Sequence, residues 1–307
     1  MTNHLQYDPR DFNQNYPTRS FACRHDLAEH RLFNLPRLIE LAKSMDRDRI
    51  EYNSGDLEPG HAYEDTPKVD LSVEETIRQI EDCHAWMVIK NVEQDPEYKA
   101  FIKTCLDQVS ERLPQGAEPL EDYQGFIFIA SANSTTPFHI DAEENFFVQL
   151  HGSKSFHVFE NDDCKLVSEE AMEISPSKFR NMSYSPEFEN RATVYELGPG
   201  DGIFVPYMMP HWVRTGDQYS ISMAITWKTP SVLRRNKVRF MNAMLRQVGL
   251  AQAAPGQKPW ADGLKVAAYD MAFAVINPLR KSEKSRRIIR KLFFGRNANY
   301  YYNEKNA

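Results

Sequence analysis

The segment Thr136-Pro137-Phe138-His139-Ile140-Asp141 places an imidazole and a carboxylate two residues apart. The stretch PYMMPHW, from Pro206 to Trp212, supplies a second imidazole in His211, 70 positions after Asp141. In an extended strand, side chains two apart share a face, so His139 and Asp141 can reach one ion while Ile140 points away. A second strand that carries His211 to the same place completes a set of two imidazoles and one carboxylate. Such a set takes three positions on one side of a metal and leaves others open, as in non-haem iron(II) oxygenases. The same donors suit manganese, zinc or nickel, so the triad alone does not fix the metal. An HxD pair is weak by itself in a chain with nine histidines. What strengthens it is the setting of His211 in GPGDGIFVPYMMPHWV, where a Gly-Asp turn feeds an apolar strand and a proline-rich bend precedes the histidine.

That setting resembles a known family. GDxxxxP, followed five residues later by a histidine, is similar to the second cupin motif, with Met208 where the motif usually has glycine. TPFHIDAEENFFVQLHGSKSFHVF, beginning at Thr136, resembles the corresponding stretch of JmjC and cupin-like oxygenases, the asparaginyl hydroxylase that acts on hypoxia-inducible factor among them. The likeness runs from Tyr123 to Trp227. It implies an α+β protein with a double-stranded β-helix (jelly-roll, cupin/JmjC) core, N-terminal α/β elements and a C-terminal helical appendage. It also implies iron(II) bound by His139, Asp141 and His211, with 2-oxoglutarate as cosubstrate and O2 as oxidant. In that family a threonine three residues before the first histidine and a lysine fifteen after it hold the distal carboxylate of 2-oxoglutarate; Thr136 and Lys154 stand at those spacings. A lysine reaching into a barrel must find an anion, because an unpaired buried ammonium is costly. Asn145 matches a polar contact in the cosubstrate pocket, and Phe147 a packing position. Relatives often carry asparagine two residues before the tryptophan of the last core strand. Ile225 stands there in AITW, which leaves Ser222 or Thr226 to supply a polar contact.

Other polar residues near these motifs have plainer readings. His151 and His157 are expected in turns or at the surface, and His25, His30 and His84 as partly buried, hydrogen-bonded side chains. Glu143 and Glu144 are expected as solvated turn carboxylates, with recognition of a basic substrate as the second reading. Tyr207 and Trp212, beside the distal histidine, are expected as pocket walls.

The chain of 307 residues is 41% hydrophobic and 26% charged, an ordinary globular composition that argues against extensive disorder. A net charge of -6 gives no general reason to expect nucleic acid, although the far C-terminus is locally basic. Cys23, Cys83, Cys105 and Cys164 form no CxxC pair, so neither a zinc cluster nor a disulfide framework is indicated. The start lacks a signal-peptide pattern and no long apolar run follows, so a soluble, cytoplasmic protein without membrane partners is expected.

Three regions are expected. Residues 1–122 form a mixed helix and strand region packing on the core. In it Leu35–Lys43 has helical spacing, Ser72 and Glu75 make a capping box for a helix to about Glu81, Trp86–Val92 is a strand, Tyr98–Arg112 a helix, and Asn53–Lys68 a surface loop. Residues 123–229, with six short apolar runs (GFIFIA, NFFVQLHG, SFHVFE, ATVYEL, DGIFVP and YSISMAITW), form the catalytic core. Residues 230–307 form helices over Val232–Val248, Leu264–Ile276 and the basic stretch Ser282–Phe294. Their apolar stripes, Leu233, Phe240, Met244 and Val248 with Leu264, Ala268, Met271 and Val275, suggest a homodimer through residues 230–293, or else packing on their own barrel.

The expected reaction is hydroxylation, or demethylation through an N-methyl carbon, of a peptide, amino acid or small metabolite. Two other classes share the motif. A cupin isomerase or hydrolase would use the metal as a Lewis acid and form no succinate. A non-enzymatic, ligand-sensing regulatory cupin would show no turnover.

Overall fold

The computed structural model describes residues 4–62, 65–174 and 181–279, together with residues 285 and 288. Two antiparallel sheets face each other. The larger runs in the order β1 (Leu5–Gln6), β2 (Phe21–His25), β10 (Asp201–Val205), β7 (Glu144–His151), β12 (Ser220–Lys228), β5 (Glu121–Ala130), β4 (Ala85–Lys90) and β3 (Ile50–Ser54). The smaller runs β6 (Thr135–His139), β11 (His211–Thr215), β8 (Lys154–Phe159) and β9 (Ala192–Leu197). From β5 to β12 the chain crosses between sheets at every step except the β8–β9 connection, which is the winding of a double-stranded β-helix. The hairpins β1–β2 and β3–β4 extend the larger sheet at its two edges.

The strand sequences explain why two layers form. In β7, Phe146, Val148 and Leu150 face outward into a core that includes Leu38, Leu41, Ile102 and Val109 of helices α2 (Leu35–Ser44) and α4 (Pro96–Arg112). Phe147 faces inward and meets Phe156, Val158 and Val213 of the smaller sheet. Both faces of β7 are covered, so the run NFFVQL shows little of the polar alternation of a half-exposed strand. A third cluster, including Phe138, Phe159, Met172 and Trp212, covers the outer face of the smaller sheet.

Local signals place the helices. Ser72 and Glu75 make both bonds of a capping box, opening α3 (Val73–Arg78). Helix α4 starts two residues earlier than its apolar periodicity predicts, because Asp95 accepts from the amides of Glu97 and Tyr98 and Pro96 occupies the first turn. Helix α6 spans Pro230–Gln247 and α7 Pro259–Leu279; the third expected helix, Ser282–Phe294, lies outside the described residues apart from positions 285 and 288.

Three expectations need correction. The segment Asn53–Lys68 is not wholly a surface loop, since Asn53 lies within β3, paired with Trp86 of β4. Glu144 is not a solvated turn residue; it is buried and accepts from the Trp227 indole at 2.8 Å and the Tyr16 hydroxyl at 3.0 Å, tying β7 to β12 and the N-terminal segment. His84 is an exposed side chain in a left-handed turn, near Asp56, and not a partly buried one. His25 fits its expectation: it is buried, with its ring nitrogens bonded to the backbone of Leu27, Gln149 and Asp201. Among the described residues no helix is long and apolar enough to cross a membrane.

Candidate metal centre

His139 is the last residue of β6 and His211 the first of β11, and the two are directly paired across the smaller sheet, with ring centroids 4.1 Å apart. Asp141 lies two residues beyond the end of β6, in the following loop. Its carboxylate reaches 3.5 Å from His211 Nε2 and 3.9 Å from His139 Nε2. The sequence expectation of two ligands from one strand is thus corrected to one from the strand end and one from the loop. The three donor atoms lie within 4.8 Å of one another. Neighbouring donors on a single ion at about 2.1 Å stand roughly 3 Å apart, so a small carboxylate movement suffices to close the set.

Both imidazoles are oriented by their own strands. His139 Nδ1 contacts the Pro137 carbonyl at 2.7 Å, and His211 Nδ1 the Met209 carbonyl at 2.9 Å. A carbonyl only accepts, so Nδ1 carries the proton in each ring and Nε2 presents a lone pair. Burial, with the neighbouring His139 second, lowers the His211 pKa to about 4, which keeps that ring neutral.

The Asp141 loop is tied down from two sides. The Met208 amide donates to the Asp141 carbonyl at 2.9 Å, and Asn236 of α6 donates from Nδ2 to the Ala142 carbonyl at 2.9 Å while accepting from the Tyr207 hydroxyl at 2.8 Å. Met208 holds φ +59°, the left-handed backbone that glycine adopts most easily, so the departure from the cupin motif changes the residue and keeps the turn. Its side chain is buried in the outer cluster.

A bulge explains the odd spacing between Thr136 and His139. Along β11, Val213 pairs with Thr136 and His211 with His139, so three residues of β6 oppose two of β11. The extra residue turns Thr136 onto the same face as His139. Thr136 lines a cavity of about 300 Å³ together with His139 and Asp141, and its hydroxyl accepts from the Trp86 indole at 2.9 Å. Its own proton is therefore free to donate elsewhere.

Lys154 opens β8 just after the turn at Gly152, whose φ of +67° and close approach to the Tyr219 carbonyl leave no room for a side chain. The ammonium is buried, donates to Ser222 Oγ at 2.8 Å, and stands 5.6 and 5.3 Å from the ring centroids of Phe128 and Phe147. Among the described residues no carboxylate lies within ion-pair distance of it, and burial lowers its pKa to about 7. Asn145 is buried on the same inward face as Phe147, and its carboxamide makes no hydrogen bond among the described residues. Of the four expected cosubstrate residues, Thr136 lines the cavity directly. Lys154, Asn145 and Phe147 lie deeper between the sheets, Lys154 against the cavity-lining Phe128. Ile225 faces outward into the main core, while Ser222 accepts from Lys154 and Thr226 lines the cavity.

Other expectations separate. His157 stacks on Trp212 at 3.8 Å, and Glu189 accepts from both, so Trp212 buttresses the outer face of the sheet and is not a pocket wall. Tyr207 also lies outside the cavity, against α6. His151 stacks on Tyr219 at the β7 end. Glu143 lines the cavity with most of its side chain covered; Lys228 contacts it at 3.3 Å, and burial raises its pKa to about 6 against the pull of that lysine. Asn53, Trp86 and Asn236 were missed from sequence. Only Trp86 carried a signal, as an aromatic residue in a strand.

A family of cupin-like domains matches residues 40–232, more than half of the chain. Among solved structures, the fold is similar to that of E. coli ycfD, at 14% identity and TM-score 0.49, covering 95% of this chain and 73% of that one. It is also similar to YcfD described as a ribosomal oxygenase from Escherichia coli in complex with cobalt and 2-oxoglutarate, at 13% identity and TM-score 0.47, covering 95% and 72%.

The Lys154 environment fixes a pH dependence. With a pKa of about 7 in the free protein, most of its amine is neutral at pH 8.5. A bound carboxylate favours the ammonium and raises that pKa, so 2-oxoglutarate binding at pH 8.5 should take up about one proton, and affinity should fall as pH rises above 7. Calorimetry in buffers of different ionisation enthalpy measures this uptake; none at pH 8.5 contradicts the role of Lys154. Lys154→Ala should weaken 2-oxoglutarate binding roughly ten- to a hundredfold and remove the uptake.

Proposed function

The chain belongs to the cupin-like domain family, and from that premise we propose that it is an iron(II)- and 2-oxoglutarate-dependent oxygenase whose metal is held by His139, Asp141 and His211. The observation that carries this reading is a combination: two imidazoles and a carboxylate converge at one end of the smaller sheet, and further along β8 stands a buried lysine with no carboxylate partner among the described residues. A metal-binding triad alone would suit several chemistries. A desolvated cation on the neighbouring strand adds the demand for an anion, which a 2-oxo dicarboxylate would meet with one end on the metal and the other on the lysine.

In this proposal Lys154 and Thr136 hold the distal carboxylate, Asn145 offers the second polar contact, and Phe128 and Phe147 pack the chain between them. Bound iron(II) supplies the redox chemistry by which 2-oxoglutarate, O2 and a substrate C–H give succinate, carbon dioxide and a C–OH. The residues of the chain orient and exclude water. The carbonyls of Pro137 and Met209 keep both Nε2 atoms directed at the metal, and Trp86 and Phe126 keep the cavity wall apolar. We assign the catalytic core to residues 123–229, the flanking region to 1–122 and the appendage to 230–307. The four unpaired cysteines accord with the reducing cytoplasm that we propose as its location.

His139→Ala, Asp141→Ala and His211→Ala should each abolish tight iron(II) binding and 2-oxoglutarate-dependent succinate formation, with far-ultraviolet circular dichroism unchanged. Calorimetry and a succinate assay read the two effects. Undiminished iron affinity in the His211 variant removes that ligand from the set, and metal-dependent turnover without succinate favours the isomerase or hydrolase.

We also propose a homodimer through the C-terminal helices. Phe240 of α6 packs within its own chain on Tyr269 and Phe273 of α7, so α6 does not present that residue to a partner. The opposite face of α7 carries Trp260, Leu264, Met271 and Val275, which are 73, 65, 67 and 68% exposed. Large apolar residues at helical spacing on a solvent face suit self-association by a twofold helix pair. Light scattering at micromolar concentration should give twice the mass of the chain, and Leu264→Glu with Met271→Glu should halve it; a monomeric mass for the unaltered protein defeats the dimer.

A further inference from the structure

The two histidines and the carboxylate of the metal set are held in different ways. Each imidazole donates from Nδ1 to a carbonyl, of Pro137 for His139 and of Met209 for His211. The Asp141 carboxylate accepts no hydrogen bond among the described residues, and its side chain is 38% exposed. Metal ligands are ordinarily oriented by a neighbour, and a carboxylate without one is free to change rotamer. The place of the Asp141 oxygens is therefore decided by the backbone of residues 140–143, which joins β6 to β7.

That backbone is clamped at consecutive carbonyls. The Asp141 carbonyl accepts from the Met208 amide and the Ala142 carbonyl from Asn236 Nδ2, each at 2.9 Å. A carbonyl only accepts, so the nitrogen of Asn236 must face it, and the amide oxygen then meets the Tyr207 hydroxyl, which donates at 2.8 Å. Reversing the amide would set two oxygens against each other. The ring of Tyr207 also lies against α6, with the guanidinium carbons of Arg235 and Arg239 at 4.9 and 5.8 Å from its centroid. Arg239 is fixed in turn by Glu169 of α5 (Glu169–Ile174), at 3.0 Å. Tyr207 and Met208 both belong to the bend that delivers His211, so one bend and one helix side chain grip the loop together. Met208 contributes a backbone group that any residue but proline offers. Asparagine, by contrast, is a poor residue for a helix interior, and Asn236 stands in the middle of α6.

We propose that Asn236 is a positioning residue for the metal: through the Ala142 carbonyl it sets how well the Asp141 carboxylate meets the ion, with Tyr207 orienting its amide. A loop released from Asn236 has more conformations to lose when the ion binds, and affinity falls by the cost of fixing it. The proposal rests on the metal assignment within the oxygenase reading. It gives the C-terminal appendage a part in the metal centre, since Asn236 lies beyond the core at 123–229.

The test is a calorimetric titration of cobalt(II) into the full metal-free chain, with the visible spectrum of the bound ion recorded at saturation. Asp141→Ala is the reference. Cobalt binding that this variant does not weaken sinks the metal assignment and the premise with it; where it does weaken binding, the outcomes below bear on Asn236 alone. Asn236→Leu, which keeps the size of the side chain and removes both amide groups, should weaken cobalt binding roughly tenfold and move the spectrum toward that of Asp141→Ala. Tyr207→Phe should weaken binding about threefold and have no further effect in the Asn236→Leu background, because the hydroxyl acts through the amide. A side chain that only stabilised the fold would lower the melting temperature of the metal-free protein and leave the affinity and spectrum of the folded protein alone. Should Asn236→Leu fail to fold, Tyr207→Phe decides by itself. Unchanged cobalt affinity and spectrum in Asn236→Leu, a Tyr207→Phe loss that persists in full in that background, or unchanged affinity in Tyr207→Phe where that variant decides, overturns the proposal.

Discussion

An ammonium buried between two β-sheets, with one serine hydroxyl and two aromatic faces around it, is the constraint on which the site depends. Taking an ammonium out of water without an ion partner costs several kcal/mol even after the protein relaxes. The Ser222 bond at 2.8 Å and the rings of Phe128 and Phe147 offset part of that cost. Burial lowers the pKa of the amine to about 7, and a bound carboxylate, as proposed for 2-oxoglutarate, would favour the charged form. Ser222 faces inward on β12 to meet the amine, while Ile225, three positions on, faces outward into the main core.

The second determinant is register. Direct pairing of His139 with His211 across one ladder brings the rings together, and the bulge next to it brings Thr136 round to the same face. The free edge of β6 is covered by backbone bonds from the neighbouring loops, Phe138 to Pro59 and Met182 to Phe138, which fixes the strand that ends in the first histidine. Beyond that end the carboxylate loop has no ladder to hold it, and the Met208 amide and Asn236 take over. Helix α6 thereby joins the Asp141 loop to the C-terminal helices.

Much of this was legible in the residues themselves. Strand positions, the two histidines and Asp141 follow from local pattern, because strand period and turn chemistry are written within a few positions of each other, whereas Lys154 stands out only through the resemblance to the cupin-like oxygenases. The capping box at Ser72 and the end of α4 were legible for the same reason. The role of Glu144 was not, since a carboxylate two residues from a turn gives no hint that Trp227, 83 positions away, will donate to it. Asn53 was lost in a loop because its Gly- and Pro-rich neighbours outweighed a five-residue strand. Trp212 is placed by parity: next to His211 in a strand, it must face the opposite side of the sheet, away from the cavity. Asn236 lies 94 residues from the carbonyl it holds, and no local pattern encodes such a contact.

The most direct measurement is an anaerobic titration of 2-oxoglutarate into the iron(II)-loaded protein, followed by visible absorption. Chelation of iron by a 2-oxo acid gives a charge-transfer band that neither component shows alone. This band should saturate at one equivalent in the intact chain, be lost in His211→Ala, and require a far higher 2-oxoglutarate concentration in Lys154→Ala. Binding of 2-oxoglutarate with no such band, or a band that forms with unchanged affinity when Lys154 is removed, contradicts it.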